Sequence, residues 1–250
     1  MQLIFALQIL LIGLVYGQLV PSFTNFSPYR NLIERRFTGF INWIDCNARL
    51  PVLFYYFADR DRGNYPRPSS FKLDPQISYS CQQKSTSSYG GGVSYDRGHM
   101  VTANHMDSNP QSISDSNYMT NITPQTGVLN KGAWLYVEEV IECVRDIHAL
   151  KVYGGIVMGN DASNDIFLGS HGVPTPDWYW KIVENTITGD VIAWLMPNNF
   201  EPYRDRVDRY LTTVKDIENK SGFVFSHFTD AQRNKLHTKS WDIPPGCDFS

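Results

Sequence analysis

The sequence has no surplus of positive charge. Its 22 Lys and Arg stand against 25 Asp and Glu, a net charge of −3, so no global field draws in a polyanion. Any nucleic-acid site must be a local basic cleft. No CxxC pair occurs, which argues against a structural zinc site. No internal repeat and no sustained heptad is present, which excludes solenoids and coiled coils. No charged residue precedes Arg30.

The uncharged start is a run of its own, "LIFALQILLIGLVYG". It is shorter than the about 20 apolar residues that span a bilayer comfortably. It ends in small and polar residues, and is expected to be a secretory signal over 1–17, cut near Gly17. The mature chain from 18 to 250 is then expected to be one domain, secreted and extracellular, with no stable membrane association after cleavage. Four cysteines, Cys46, Cys81, Cys143 and Cys247, all fall in that part. An even count in a secreted chain suggests two disulfides, with three possible connectivities. The preferred pairing is Cys46–Cys81 with Cys143–Cys247. Sequons stand at Asn25, Asn121 and Asn219; Asn25 and Asn219 are the glycosylation candidates.

Along the chain, "PVLFYYF" (51–57) reads as a buried strand, and "YGGGVSY" (89–95) as a flexible approach to "YDRGHM" (95–100). Residues 105–127 are rich in Asn, Ser and Asp and read as loop. A single helix is predicted over 128–150, with Val137, Val140, Ile141, Val144 and Ile147 as its apolar stripe. "WYWKIVENTI" and "DVIAWLMPN" flank Thr188-Gly189 as a hairpin, and 212–222 reads as a short helix ending at Gly222. The fold class is α+β: a central antiparallel sheet flanked by helices.

Phosphodiester hydrolysis needs a base for water, a cation for the developing charge, and an acid for the leaving oxygen. His99, with an ordinary imidazole value of about 6.5, suits the base. Arg97, two residues earlier, would point the same way on a strand, and its donor fork matches phosphate oxygens. It could equally pair with Asp96. Asn130 near the start of the predicted helix offers an amide oxygen. Glu138 lies about two turns plus 80° further round the same helix. Each has a plainer reading: Asn130 as a helix cap, Glu138 as one of a solvated acidic face with Glu139 and Glu142.

Four segments, "DRGHM" (96–100), "NITPQ" (121–125), "LNKGAW" (129–134) and Glu138, together resemble the DNA/RNA non-specific endonuclease family. That family includes a secreted bacterial sugar-nonspecific nuclease and endonuclease G. The resemblance covers roughly 45–230, and "VPTPDWYWKIV" and "VKDIENKSGFVF" extend it. It implies a ββα-metal, or His-Me finger, catalytic unit. It further implies His99 as general base, Asn130 as the single direct protein ligand of Mg²⁺ (Mn²⁺ or another divalent cation substituting), and Arg97 on the phosphate. Glu138 would lie beside the metal's water shell, and Asn121 would hold the loop or orient His99. A further arginine before Phe71 and Asp74 would bind phosphate; Arg67 is the candidate, with Arg60 and Arg62 as alternatives. DNA and RNA are the implied substrates, 5′-phosphorylated fragments the implied products, and a homodimer is possible. The competing function is a degenerate relative that binds nucleic acid without cutting it.

Overall fold

The computed structural model describes residues 23–25, 29, 31–90 and 94–249. The signal reading over 1–17 and the glycines Gly91 and Gly92 lie outside them. Among the described residues no helix is long and apolar enough to cross a membrane.

The strands, in chain order, are β1 (Thr24–Asn25), β2 (Leu32–Arg36), β3 (Phe40–Asp45), β4 (Leu50–Ala58), β5 (Tyr95–His99), β6 (Ile122–Thr126), β7 (Leu150–Val157), β8 (Trp178–Asn185), β9 (Val191–Pro197), β10 (Leu211–Thr212) and β11 (Phe223–Val224). Seven form one antiparallel sheet in the order β10-β9-β8-β7-β4-β3-β2. The "PVLFYYF" run lies within β4, buried along almost its whole length between β3 and β7. Pro51 is tolerated there because it falls where the β3–β4 register shifts, between Trp43 and Ile44. The hairpin around Thr188-Gly189 joins β8 to β9, with Gly189 at φ 69°. Tyr179 and Trp180, adjacent on β8 and therefore on opposite faces of the sheet, are both completely buried.

The helices are α1 (Pro110–Ser116), α2 (Gly127–Lys131), α3 (Ala133–Arg145), α4 (Val214–Ser221) and α5 (Asp230–Arg233). The 105–127 stretch is not loop. Asn109 accepts from the Gln111 and Ser112 amides to start α1 at Pro110, and 122–126 is strand β6. Its polar composition reflects buried hydrogen bonding rather than exposure.

The single helix expected over 128–150 is two. Gly132 interrupts it because Ala133 N donates to Pro202 O, 3.0 Å away, and that loop crosses too close for a side chain. A Cβ on Gly132 would lie 2.3 Å from Val128 O and 2.6 Å from Pro202 O. Val137, Val140, Ile141 and Val144 are buried as the stripe predicts, but α3 stops at Arg145 and Ile147 is exposed. The helix expected over 212–222 is α4, closed by Gly222 at φ 78° and opened by a Thr213–Asp216 capping box.

Both disulfides adopt the preferred pairing. Cys46–Cys81 clips the end of β3 to the segment ahead of β5, and Cys143–Cys247 ties the C-terminal tail to α3. Asn219 is exposed on α4, whereas Asn121 is completely buried.

Candidate active site

Everything between β4 and β7, two neighbouring strands of the sheet, is an excursion that carries the site. Its centre is the antiparallel pair β5–β6 followed directly by α2, a ββα unit. His99 ends β5 opposite Ile122, and Arg97 stands opposite Pro124. Period-two alternation puts Arg97 and His99 on one face, where both meet the Phe71 ring. The Arg97 guanidinium carbon is 4.0 Å from its centroid, and the His99 ring centroid is 5.6 Å away.

Gly98 between them allows the strands to close. A Cβ there would come within 2.2 Å of Gln125 Oε1, so the glycine makes room for a buried glutamine. Arg97 does not pair with Asp96; it donates to Thr86 O at 2.8 Å. Asp96 instead accepts from Asn130 Nδ2 at 3.0 Å and from Lys131 Nζ.

His99 is 8% exposed. Its Nε2 lies 3.0 Å from Asn117 Oδ1. The orientation of that amide is fixed, because Asn117 Nδ2 donates to Pro68 O at 2.7 Å and Ser70 O at 3.3 Å. Asn117 therefore presents an acceptor, Nε2 must carry the proton, and Nδ1 is the basic nitrogen. Arg67 Nη2 sits 3.1 Å from Nδ1 and 3.3 Å from Nε2. Near-equal distances to both nitrogens place it over the ring rather than along one lone pair. Burial first, then the Arg67 and Arg97 charges, pull the imidazole down to about 3, against the raising effect of Asn117. His99 is held neutral.

Of the three arginines considered, Arg67 is the one at His99. Arg62 lies with Asp59 at 3.6 Å, and Arg60 is exposed. Asp74 takes Arg35 at 2.7 Å. Asn121 does not touch the imidazole. Its Oδ1 accepts from Val101 N and Asn42 Nδ2, and its Nδ2 donates to Val101 O and Ser116 O. It locks the chain just past His99 to the stretch that ends α1.

Asn130 is the fourth residue of α2, whose cap is Thr126; Glu138 is on α3. The two therefore do not share a helix. Glu138 is no solvated surface residue either: its Oε1 is 3.5 Å from Lys181 Nζ, and both side chains are largely buried. Burial pushes its carboxyl up, while Lys181 and then Arg67 draw it back. The expected acidic face is dispersed: Glu139 pairs with Arg204, and Glu142 with Arg145.

Asn117, Lys181 and the buried role of His105 are absent from the sequence reading. His105 is bonded through Nδ1 to Tyr56 Oη at 2.7 Å and through Nε2 to Glu138 O at 3.1 Å. Nothing separates Asn117 from the other polar residues of 105–127 in the sequence. Lys181 had one signal, a charge in the middle of an apolar strand.

The donor set suits a hard divalent cation. The Asn130 amide nitrogen is taken by Asp96, which leaves its oxygen as the end open to a ligand. Among the described residues no three His, Cys, Asp or Glu side chains converge as a metal cage. A single neutral oxygen with a carboxylate nearby in sequence fits an ion that retains most of its water.

The chain matches the family model for DNA/RNA non-specific endonuclease over residues 25–232. It is 25% identical over 226 residues to the mitochondrial nuclease EXOG of Mus musculus, covering 83% of this chain and 60% of that protein. It is 24% identical over 226 residues to the nuclease of Serratia marcescens, covering 84% of this chain and 78% of the other. It spans between 45% and 60% of the length of the EXOG relatives from mouse, zebrafish and human. The fold resembles that in the crystal structure of the EndoG/EndoGI complex, with a TM-score of 0.66, 19% identity, and coverage of 80% of this chain and 88% of that one.

Proposed function

The chain belongs to the DNA/RNA non-specific endonuclease family, and from that premise we propose that it is a secreted, Mg²⁺-dependent endonuclease that hydrolyses the phosphodiester bonds of DNA and RNA. The observation that carries this reading is the state of His99. It is a buried, neutral imidazole whose Nε2 is committed to Asn117 and whose Nδ1 lies beneath an arginine.

Nδ1 of His99 would take the proton of the attacking water, with Asn117 stabilising the imidazolium that forms. Arg67, at the imidazole, and Arg97, over the Phe71 ring, would bind the phosphate. Such contacts carry no base information, which fits cleavage without sequence preference and affinity that falls with salt. Asn130 Oδ1 would be the direct protein ligand of Mg²⁺, with Mn²⁺ as a substitute, and Glu138 would hold its water. When bound, the cation would stabilise the charge that develops on the phosphoryl and leaving oxygens. Asn121 would act at one remove, by fixing the chain that follows His99. The products would carry 5′-phosphates.

Two disulfides support an oxidising compartment, and with the apolar stretch at 3–17 they support secretion as a single mature domain over 18–250. The test uses the mature protein on plasmid, single-stranded DNA and RNA, with Mg²⁺ or EDTA and with His99→Ala. Cleavage is expected to need Mg²⁺ and to drop by about 10²–10⁴-fold in His99→Ala while DNA binding persists. Binding without cleavage by the unsubstituted protein would favour the degenerate nucleic-acid-binding alternative.

A further inference from the structure

Lys181 belongs to β8, in the central sheet and outside the ββα unit. Its neighbour Trp180 packs against Phe225. Lys181 itself packs against Trp134 of α3, its Nζ 3.8 Å from the ring centroid. Its side chain is 1% exposed, and Glu138 Oε1 is the acceptor it meets, at 3.5 Å. Burying an ammonium is costly, and an apolar side chain of similar length would pack against Trp134 without that cost. The charge at this position therefore needs a reason beyond packing.

The reason lies in a second charge that acts on Glu138. Arg67 and Lys181 both act on the Glu138 carboxyl, and Glu138 in turn acts on Arg67. Arg67 is the group over His99. The sequence of influence runs from the sheet, through Lys181 and Glu138, to the arginine at the imidazole. A carboxylate buried this deeply against Trp134 would tend to neutralise or turn away without a fixed cation beside it.

We propose that Lys181 is a positioning residue of the nuclease site, which by contact and charge holds the Glu138 carboxylate in the arrangement that serves the divalent cation and Arg67. This rests on the role given to Glu138 above. The contact ties β8 of the sheet to α3, and Lys181 need never touch substrate.

A double-mutant cycle on the full mature chain tests it. Lys181→Met, Glu138→Gln and the double variant are compared in kcat, in KM for plasmid DNA, and in Mn²⁺ affinity measured by electron paramagnetic resonance without substrate. Lys181→Met is expected to lower kcat and to weaken Mn²⁺ binding by about 10–100-fold each, as loss of a supporting contact does. The double variant should fall no further than Glu138→Gln alone. If Lys181→Met does not fold, the double variant still reports, because a buried pair replaced by two neutral groups is tolerated far better than one orphaned charge. Losses that multiply in the double variant would overturn the proposal and leave the nuclease reading standing. So would unchanged Mn²⁺ affinity in a folded Lys181→Met. Wild-type kcat and Mn²⁺ affinity in Glu138→Gln would instead remove the role of Glu138, and the proposal with it.

Discussion

Asn117 Oδ1 lies 3.0 Å from His99 Nε2, and that contact decides which imidazole nitrogen is available to a water. The amide is pinned from behind by two backbone carbonyls, Pro68 O and Ser70 O, on the segment just after Arg67. One side chain thus fixes both the tautomer of His99 and the chain next to Arg67.

Asn117→Ala should therefore lower kcat by about tenfold to a hundredfold, part of the ~10²–10⁴ that a positioned base supplies. Asn117→Asp should do something different. A carboxylate on Nε2 favours the imidazolium, so the acid limb of log(kcat/KM) should move to higher pH. Plasmid-cleavage rates between pH 3 and 9, a window that contains the His99 value of about 3, measure both. An unchanged acid limb in Asn117→Asp would mean that the contact does not set the protonation of His99.

His99 is neutral in the fold, with its value drawn down to about 3, and titrates near 6.5 when unfolded. Below pH 6.5 the unfolded chain takes up a proton that the folded chain does not, so this group removes stability as pH falls from 6.5 toward 3. Asp107 and Glu142, raised by burial to about 6 and about 7, act in the opposite direction. The contribution of His99 is isolated by comparison with His99→Gln, which does not titrate. Between pH 7 and pH 5 wild type should lose about 2 kcal/mol relative to His99→Gln in urea unfolding.

Gly98 faces Gln125 so closely that no side chain fits. Gly98→Ala should cost about 1–3 kcal/mol by overpacking. It should also push β5 from β6 at the residue next to His99. Thermal unfolding and plasmid cleavage should fall together; a Gly98→Ala protein with wild-type cleavage would contradict the close packing at this point.

Cys143 and Cys247 are 104 residues apart, and their bond closes a loop that includes β7 through β11. Replacing both with alanine should lower the free energy of unfolding by about 2–5 kcal/mol in guanidinium titrations. Asn121, by contrast, should carry no glycan on intact-mass analysis, because its side chain is completely buried and both ends of its amide are bonded.

Much of this is legible in the sequence. The runs in β4, β8 and β9 carry their own period and turn residues. The family resemblance carried by 96–100, 121–125 and 129–134 implies a ββα unit, which β5, β6 and α2 form, while Glu138 lies beyond it on α3. What could not be read was where a second chain segment intervenes. The break at Gly132 is made by Pro202, 70 positions away in the sequence, and helical periodicity runs across it unchanged. Asn117 was hidden for a related reason. A buried amide in an Asn- and Ser-rich stretch looks like surface until its partners are known. Lys181 was masked by the strand around it, whose apolar pattern implies core.

The excursion between β4 and β7 leaves the sheet beside the strand to which it returns, with Ala58 directly across from Leu150. A sheet built this way can stay zipped while the intervening chain opens, since its ladder bonds do not pass through the finger. On heating, activity should therefore disappear before the β-sheet signal does, and recover on brief cooling. Slow exchange of amide hydrogens in β4 and β7, with faster exchange in β5 and β6, would be the mark of an enzyme whose scaffold outlasts its active site.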